Sequence, residues 1–143
     1  MNRKHLVLAA LAASNGAVHT PVQVQKLFFL LDKRISTHLG GPWFNFAACD
    51  YGPFDRAVYD ELENLEREGL VEITRTSDLR RKTYRLTAEG QGEGNEILKG
   101  LDTKLVEYLQ RLSKWVRSLS FAELVSSIYR EYPEMKVNSV FRG

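Results

Sequence analysis

The chain has a single cysteine, Cys49, among its 143 residues, so it can form no internal disulfide and has no thiolate set for a structural metal. Its three histidines, His5, His19 and His38, are scattered and share no metal-ligand spacing with that cysteine; no metal site is expected. Long apolar runs are also missing: nothing approaches the roughly 20 residues of a bilayer span, and no membrane role is expected. The opening Met1-Asn2-Arg3-Lys4 with apolar residues 6–13 superficially resembles a secretory signal. It reads better as a helix stopped at Ser14-Asn15-Gly16, so a cytoplasmic location is expected. No phosphate-binding loop is present, because the glycine-rich residues 90–94 lack the lysine and hydroxyl such a loop needs. Ser14, Thr20 and Ser120 stand at helix ends, where capping accounts for them without nucleophilic chemistry. Neither catalysis nor a cofactor is expected. A strong charge of one sign is absent too: the net charge is +2, so composition alone implies no nucleic-acid partner, and placement of the charges decides.

What is present is helical periodicity with clear punctuation. Residues 3–14 carry Leu6, Val7, Ala10 and Leu11 on one face and end at Asn15-Gly16. Thr20-Pro21-Val22-Gln23 joins a hydroxyl cap, a first-turn proline and a glutamine three residues on, opening a second helix with Val24, Leu27, Phe28, Leu31 and Ile35 inward. Leu39-Gly40-Gly41-Pro42 stops it. Residues 43–51 read as a short extended segment, with Cys49 as a small core hydrophobe and Gly52-Pro53 turning the chain into a third helix over 54–68. Residues 70–75 and 82–87 alternate as two strands around a polar turn containing Ser77-Asp78. The glycines at 90, 92, 94 and 100 weaken a helix start, which places one long helix over 95–118; Ser120-Phe121-Ala122-Glu123 is a capping box for a last helix stopped by Pro133. The expected fold is mainly α with a two-stranded β wing: a winged helix-turn-helix plus two C-terminal helices. A single domain over 1–143 is expected, with its core in 1–90 and a helical extension over 95–133.

Two resemblances follow from particular residues. The run Leu62-Glu63-Asn64-Leu65-Glu66-Arg67-Glu68-Gly69-Leu70-Val71-Glu72, with Asp78-Leu79-Arg80-Arg81 and Leu86-Thr87-Ala88-Glu89-Gly90, is similar to the helix-wing-helix passage of MarR-type regulators. The run Gln25-Lys26-Leu27-Phe28-Phe29-Leu30, with Asp50-Tyr51-Gly52-Pro53-Phe54 and Val58-Tyr59, resembles the SocA and Panacea antitoxin-associated domain and its YwgA-like relatives over residues 20–90. The second resemblance implies a non-catalytic antitoxin or adaptor whose partner is a protein.

Charge placement bears on the same question. Residues 54–68 hold Asp55, Asp60, Glu61, Glu63, Glu66 and Glu68 against Arg56 and Arg67, a net of −4 on the helix a DNA reader lays in the major groove. The wing holds Arg75, Arg80, Arg81, Lys82 and Arg85 against Asp78, a net of +4. The preferred reading is therefore a protein partner, a toxin or regulatory protein, met at Gln25, Lys26, Tyr51, Gly52, Pro53, Asp55 and Arg56. The alternative is a DNA-binding transcriptional regulator, dimeric in some versions, that sets Arg75, Arg80, Arg81, Lys82 and Arg85 against phosphates or an acidic partner. For residues 97–116, a homodimer seam and packing within the chain stand equally open.

Overall fold

The computed structural model describes residues 1–76 and 81–142, so the expected turn at Ser77-Asp78 and the wing residue Arg80 lie outside the described residues. Helix α1 (Arg3–Ala12) starts where the Asn2 side chain accepts the His5 N–H at 2.8 Å, and residues 6–13 are buried on every side. Asn15 and Gly16 both take positive φ, 54° and 84°, and reverse the chain. His19 then exchanges two backbone hydrogen bonds of 2.9 Å with Tyr84, a one-residue bridge to the wing.

Helix α2 (Pro21–Leu39) opens on the predicted capping box: the Thr20 hydroxyl accepts the Gln23 N–H, and the Gln23 side chain accepts the Thr20 N–H. Residues 24–32 are all buried, and Gly40 closes the helix in the left-handed conformation. The Asp32 carboxylate accepts the N–H groups of Trp43 and Phe44 at 3.0 and 2.9 Å, folding the following loop back onto α2. Burial raises the pKa of this carboxyl group against the opposing pull of those two donors.

The chain next differs from expectation. Gly52-Pro53 is not a turn into a helix but part of a strand: β1 (Ala47–Cys49) and β2 (Gly52–Phe54) form an antiparallel hairpin whose turn is Asp50-Tyr51. Cys49 is half-buried on β1 rather than in the core. Helix α3 (Arg56–Arg67) starts later than predicted, capped by Asp55 through the Ala57 N–H at 2.8 Å. The wing matches expectation: β3 (Val71–Arg75) pairs antiparallel with β4 (Lys82–Leu86), in a register that sets Val71 opposite Leu86 and Arg75 opposite Lys82.

The predicted long helix over 95–118 is two helices. Helix α4 (Ala88–Lys99) runs through the glycine-rich stretch, and α5 (Thr103–Ser118) restarts after Gly100 with Asp102 as its cap. The glycines are there for contact. A Cβ on Gly90 would lie 1.9 Å from the Leu70 carbonyl oxygen, and one on Gly94 would lie 2.5 Å from the Ala12 Cβ and 2.7 Å from the Leu8 carbonyl oxygen. Bare Cα atoms let α4 cross α1 almost backbone to backbone. Helix α6 (Phe121–Glu131) begins with the predicted Ser120–Glu123 capping box. A 3₁₀ turn (Pro133–Lys136) follows, and the tail returns to the β1–β2 hairpin, where the Asp50 carbonyl accepts the Val140 N–H at 2.9 Å and the Ala48 carbonyl accepts an Asn138 side-chain N–H at 3.0 Å.

Three helices, a bridge at His19 and a two-stranded wing constitute a winged helix-turn-helix, with α4 to α6 packed behind it. A hydrophobic cluster running from Leu6 through Phe28, Leu62, Tyr84, Leu112 and Ile128 joins all these parts. Among the described residues, no helix is long and apolar enough to cross a membrane.

Candidate nucleic-acid interface

Helix α3 turns Val58, Leu62 and Leu65 inward, which fixes what faces out. Its exposed residues are Arg56, Asp60, Asn64 and Arg67, spaced so that they form one stripe along the outer face. That stripe holds two cations, one anion and one amide, so it is not acidic. The acidic residues counted in the sequence are elsewhere or already engaged. Asp55 is the helix cap and also accepts the Asn45 N–H at 2.7 Å. Asp60 pairs with Arg56 at 3.5 Å, and Glu68 pairs with Lys4 of α1 at 2.8 Å. Glu66 accepts both terminal nitrogens of Arg75 at 2.9 and 3.1 Å, a bidentate pair between α3 and the wing that holds the Glu66 carboxyl below its usual pKa. Glu61 and Glu63, both half-buried, neither cap the helix nor form an ion pair among the described residues, and they lie near Lys4 and Arg75. The net charge of −4 is a property of the segment and not of its outer face.

The same pairing thins the basic wing. Arg75 is turned back onto α3, and Arg85 lies 3.3 Å from Glu72, its directly opposite partner on β3. Arg81 is exposed and Lys82 half-exposed, and neither forms an ion pair among the described residues. These two cations sit at the turn end of the strand pair, where Lys82 lies opposite Arg75 and near Glu66 of α3.

The residues predicted as a partner-binding corner fall into two groups. Gln25 and Lys26 are buried, and Gly52 and Pro53 are buried in β2. Gln25 clamps the entry to α3: its amide donates to the Asp55 carbonyl and accepts the Asp55 N–H, both at 3.0 Å. Lys26 donates to the Pro53 carbonyl at 3.4 Å. Tyr51 is 46% exposed on the hairpin turn, with its ring edge-to-face against Phe121 at 5.3 Å. Arg56 lies on the outer stripe of α3 and not in this corner.

Net charge alone does not reveal Asn64 and Arg67; their spacing from Arg56 and Asp60 along the helix is the signal that finds them. His19 is a second residue that the sequence does not mark. It is fully buried, its Nε2 lies 3.2 Å from the Ser113 hydroxyl of α5, and burial together with the nearby Arg117 lowers its pKa to about 4. Residues 97–116, for which a homodimer seam and packing within the chain stood equally open, are divided by the break between α4 and α5. Leu109, Leu112 and Val116 pack inside the chain, whereas Trp115 is exposed.

Residues 51–96, which span β2, α3, the wing and the first part of α4, match the family described as the transcriptional regulator PadR-like family. The match covers about a third of the chain. It overturns the likeness to the SocA and Panacea domain and its YwgA-like relatives, since the Tyr51-Gly52-Pro53 corner that carried that likeness falls within the PadR-like segment. Among solved structures, the chain is similar to one described as the crystal structure of a MepR mutant from a multidrug resistant S. aureus clinical isolate. The identity is 19%, covering 94% of this chain and 76% of that one, with a TM-score of 0.39. A likeness this weak carries no functional inference. No curated protein matches the chain.

Proposed function

We propose that the protein is a winged-helix transcriptional regulator that binds duplex DNA, with the outer face of α3 in the major groove and the wing on the flanking backbone. The observation that carries this reading is the stripe of Arg56, Asp60, Asn64 and Arg67, freed of acidic character by the pairing of Glu66 and Glu68. Arginine and asparagine supply the bidentate donors that read guanine and adenine edges. Arg81 and Lys82 are the phosphate contacts, joined by Arg80, which lies outside the described residues. The PadR-like match over this helix and wing supports the same reading. The protein-partner reading rested on repulsion between an acidic helix and phosphates, and that repulsion is weakened because four of the six carboxylates cap the helix or form ion pairs.

In this reading residues 1–143 act as one domain in the cytoplasm, without catalysis, and the surface around Trp115 and Tyr108 on α5 is where a second copy docks. The test is anisotropy titration of labelled duplex from upstream of the protein's own coding region at several salt concentrations. Binding should weaken steeply with salt, and Arg81→Ala with Lys82→Ala should flatten the log–log slope by about 2, since each lost phosphate contact removes roughly 0.9. Arg67→Ala should lower specific binding by about tenfold or more and leave non-specific binding nearly unchanged. Salt-independent or undetectable binding would end the proposal.

A further inference from the structure

A cavity of about 650 Å³ opens between the start of α2, the β1–β2 hairpin, Tyr59 of α3 and Phe121 of α6. Its volume suits a small organic molecule, and its walls are mostly apolar, with Val22, Phe54 and Tyr51 among them. Lys26 belongs to the wall although it is only 3% exposed. The one hydrogen bond of its ammonium group is the long one to the Pro53 carbonyl, and no carboxylate among the described residues pairs with it. Asp50 borders the cavity from the exposed hairpin turn without reaching Lys26, and Asp55 is occupied by backbone N–H groups. A Cβ on Gly52 would sit 3.6 Å from both Cε and Nζ of Lys26 and 3.4 Å from the Tyr129 ring, so the glycine leaves a methyl-sized space beside the amine.

We propose that this cavity binds an apolar, aromatic-bodied aldehyde and that Lys26 takes it up covalently as an imine. A lysine held in an apolar wall with one weak acceptor and no counter-ion is disfavoured as a cation, and the neutral amine is the nucleophile. Burial lowers the Lys26 pKa to about 8, opposed only by the neighbouring Cys49. The other titratable groups around it are Asp50 and Tyr51 on the hairpin turn, Tyr59 from α3 and Tyr129 from α6. In the reaction the Nζ lone pair bonds to the carbonyl carbon, and the carbonyl oxygen takes up a proton. The resulting carbinolamine loses its hydroxyl, together with the proton leaving nitrogen, as water, and a C=N bond remains. No oxidant or reductant enters. Tyr59, kept protonated by burial, stands in the same cavity as a proton donor.

This inference rests on the cavity and not on DNA binding. The test treats the full chain with cinnamaldehyde at pH 7.5, reduces it with borohydride and maps the secondary amines by peptide mass spectrometry. Lys26 should be labelled at least tenfold faster than the exposed Lys104 and Lys114, which lie outside the cavity. The labelling rate should reach half its maximum near pH 8. Lys26→Arg should remove the label. Val22→Trp, which fills the cavity and keeps the amine, should slow labelling at least tenfold, so the proposal remains testable if the first variant does not fold. Even labelling across all lysines, undiminished labelling of the Val22→Trp protein, or binding of cinnamate without any trapped aldehyde would overturn it.

Discussion

The α1–α4 crossing and the α3–wing surface are held by opposite means. At the crossing there is no room for a single additional carbon, because Gly94 brings the α4 backbone onto Leu8 and Ala12 of α1. On the α3–wing surface there is room for almost anything, and position is set by exposed ion pairs such as Glu66–Arg75 and Lys4–Glu68. Steric contact of the first kind is all-or-none, whereas ion pairs of the second kind are individually weak and can be exchanged for phosphate. Substitutions at the crossing should therefore register as lost fold, and those on the surface as altered binding with the fold intact.

The strongest challenge to that contrast is Gly94→Ala. The new methyl group has backbone on its far side, so we expect about 3 kcal/mol or more of destabilisation, seen as a large fall in the urea midpoint. A midpoint within error of the parent would show that the two helices separate easily, and the contrast would fail. Next in size is a pH effect at His19. Its folded pKa of about 4 lies below the unfolded value, so the unfolded chain binds the extra proton between those values. Stability should be complete above about pH 6.5 and fall as the pH drops toward 4, by on the order of 2–3 kcal/mol. Urea titrations at several pH values should show this slope in the parent and a much shallower one in His19→Asn.

Asp55→Ala removes the α3 cap and the acceptor for Asn45, and about 1–2 kcal/mol should be lost while Gln25 still holds the backbone. The smallest expected effect on the fold, and the sharpest on function, belongs to Glu66→Gln. Stability should change by less than about 1 kcal/mol because both partners are partly exposed. DNA affinity should rise severalfold as Arg75 is released toward the duplex, a gain that anisotropy titration reads directly. A fall in affinity would mean that Arg75 must stay docked on α3 for binding.

The capping and alternation signals in the sequence are accurate. Thr20 with Gln23 and Ser120 with Glu123 announce helix starts within four residues, and alternation announces the wing. What is not legible depends on distant partners. Glycine lowers helix propensity wherever it stands, and nothing in residues 88–99 reveals that Leu70 and Leu8 will come so close. Summed charge over 54–68 likewise cannot show that Lys4 lies 64 residues away in sequence yet 2.8 Å from Glu68 in space, or that Arg75 folds back onto Glu66. Gln25 and Lys26 sit on a helix surrounded by core, so the same stripe that makes α2 legible conceals how deeply its polar neighbours are buried.

His19 is tied on one side to the middle of β4 through its backbone and on the other to α5 through its ring. It is thus placed like a pin through two plates, one contact on α5 and the other on the strand that carries Lys82. If the proposed function holds, the angle at which the wing would meet a duplex and the state of the far side of the domain are in that sense one mechanical variable.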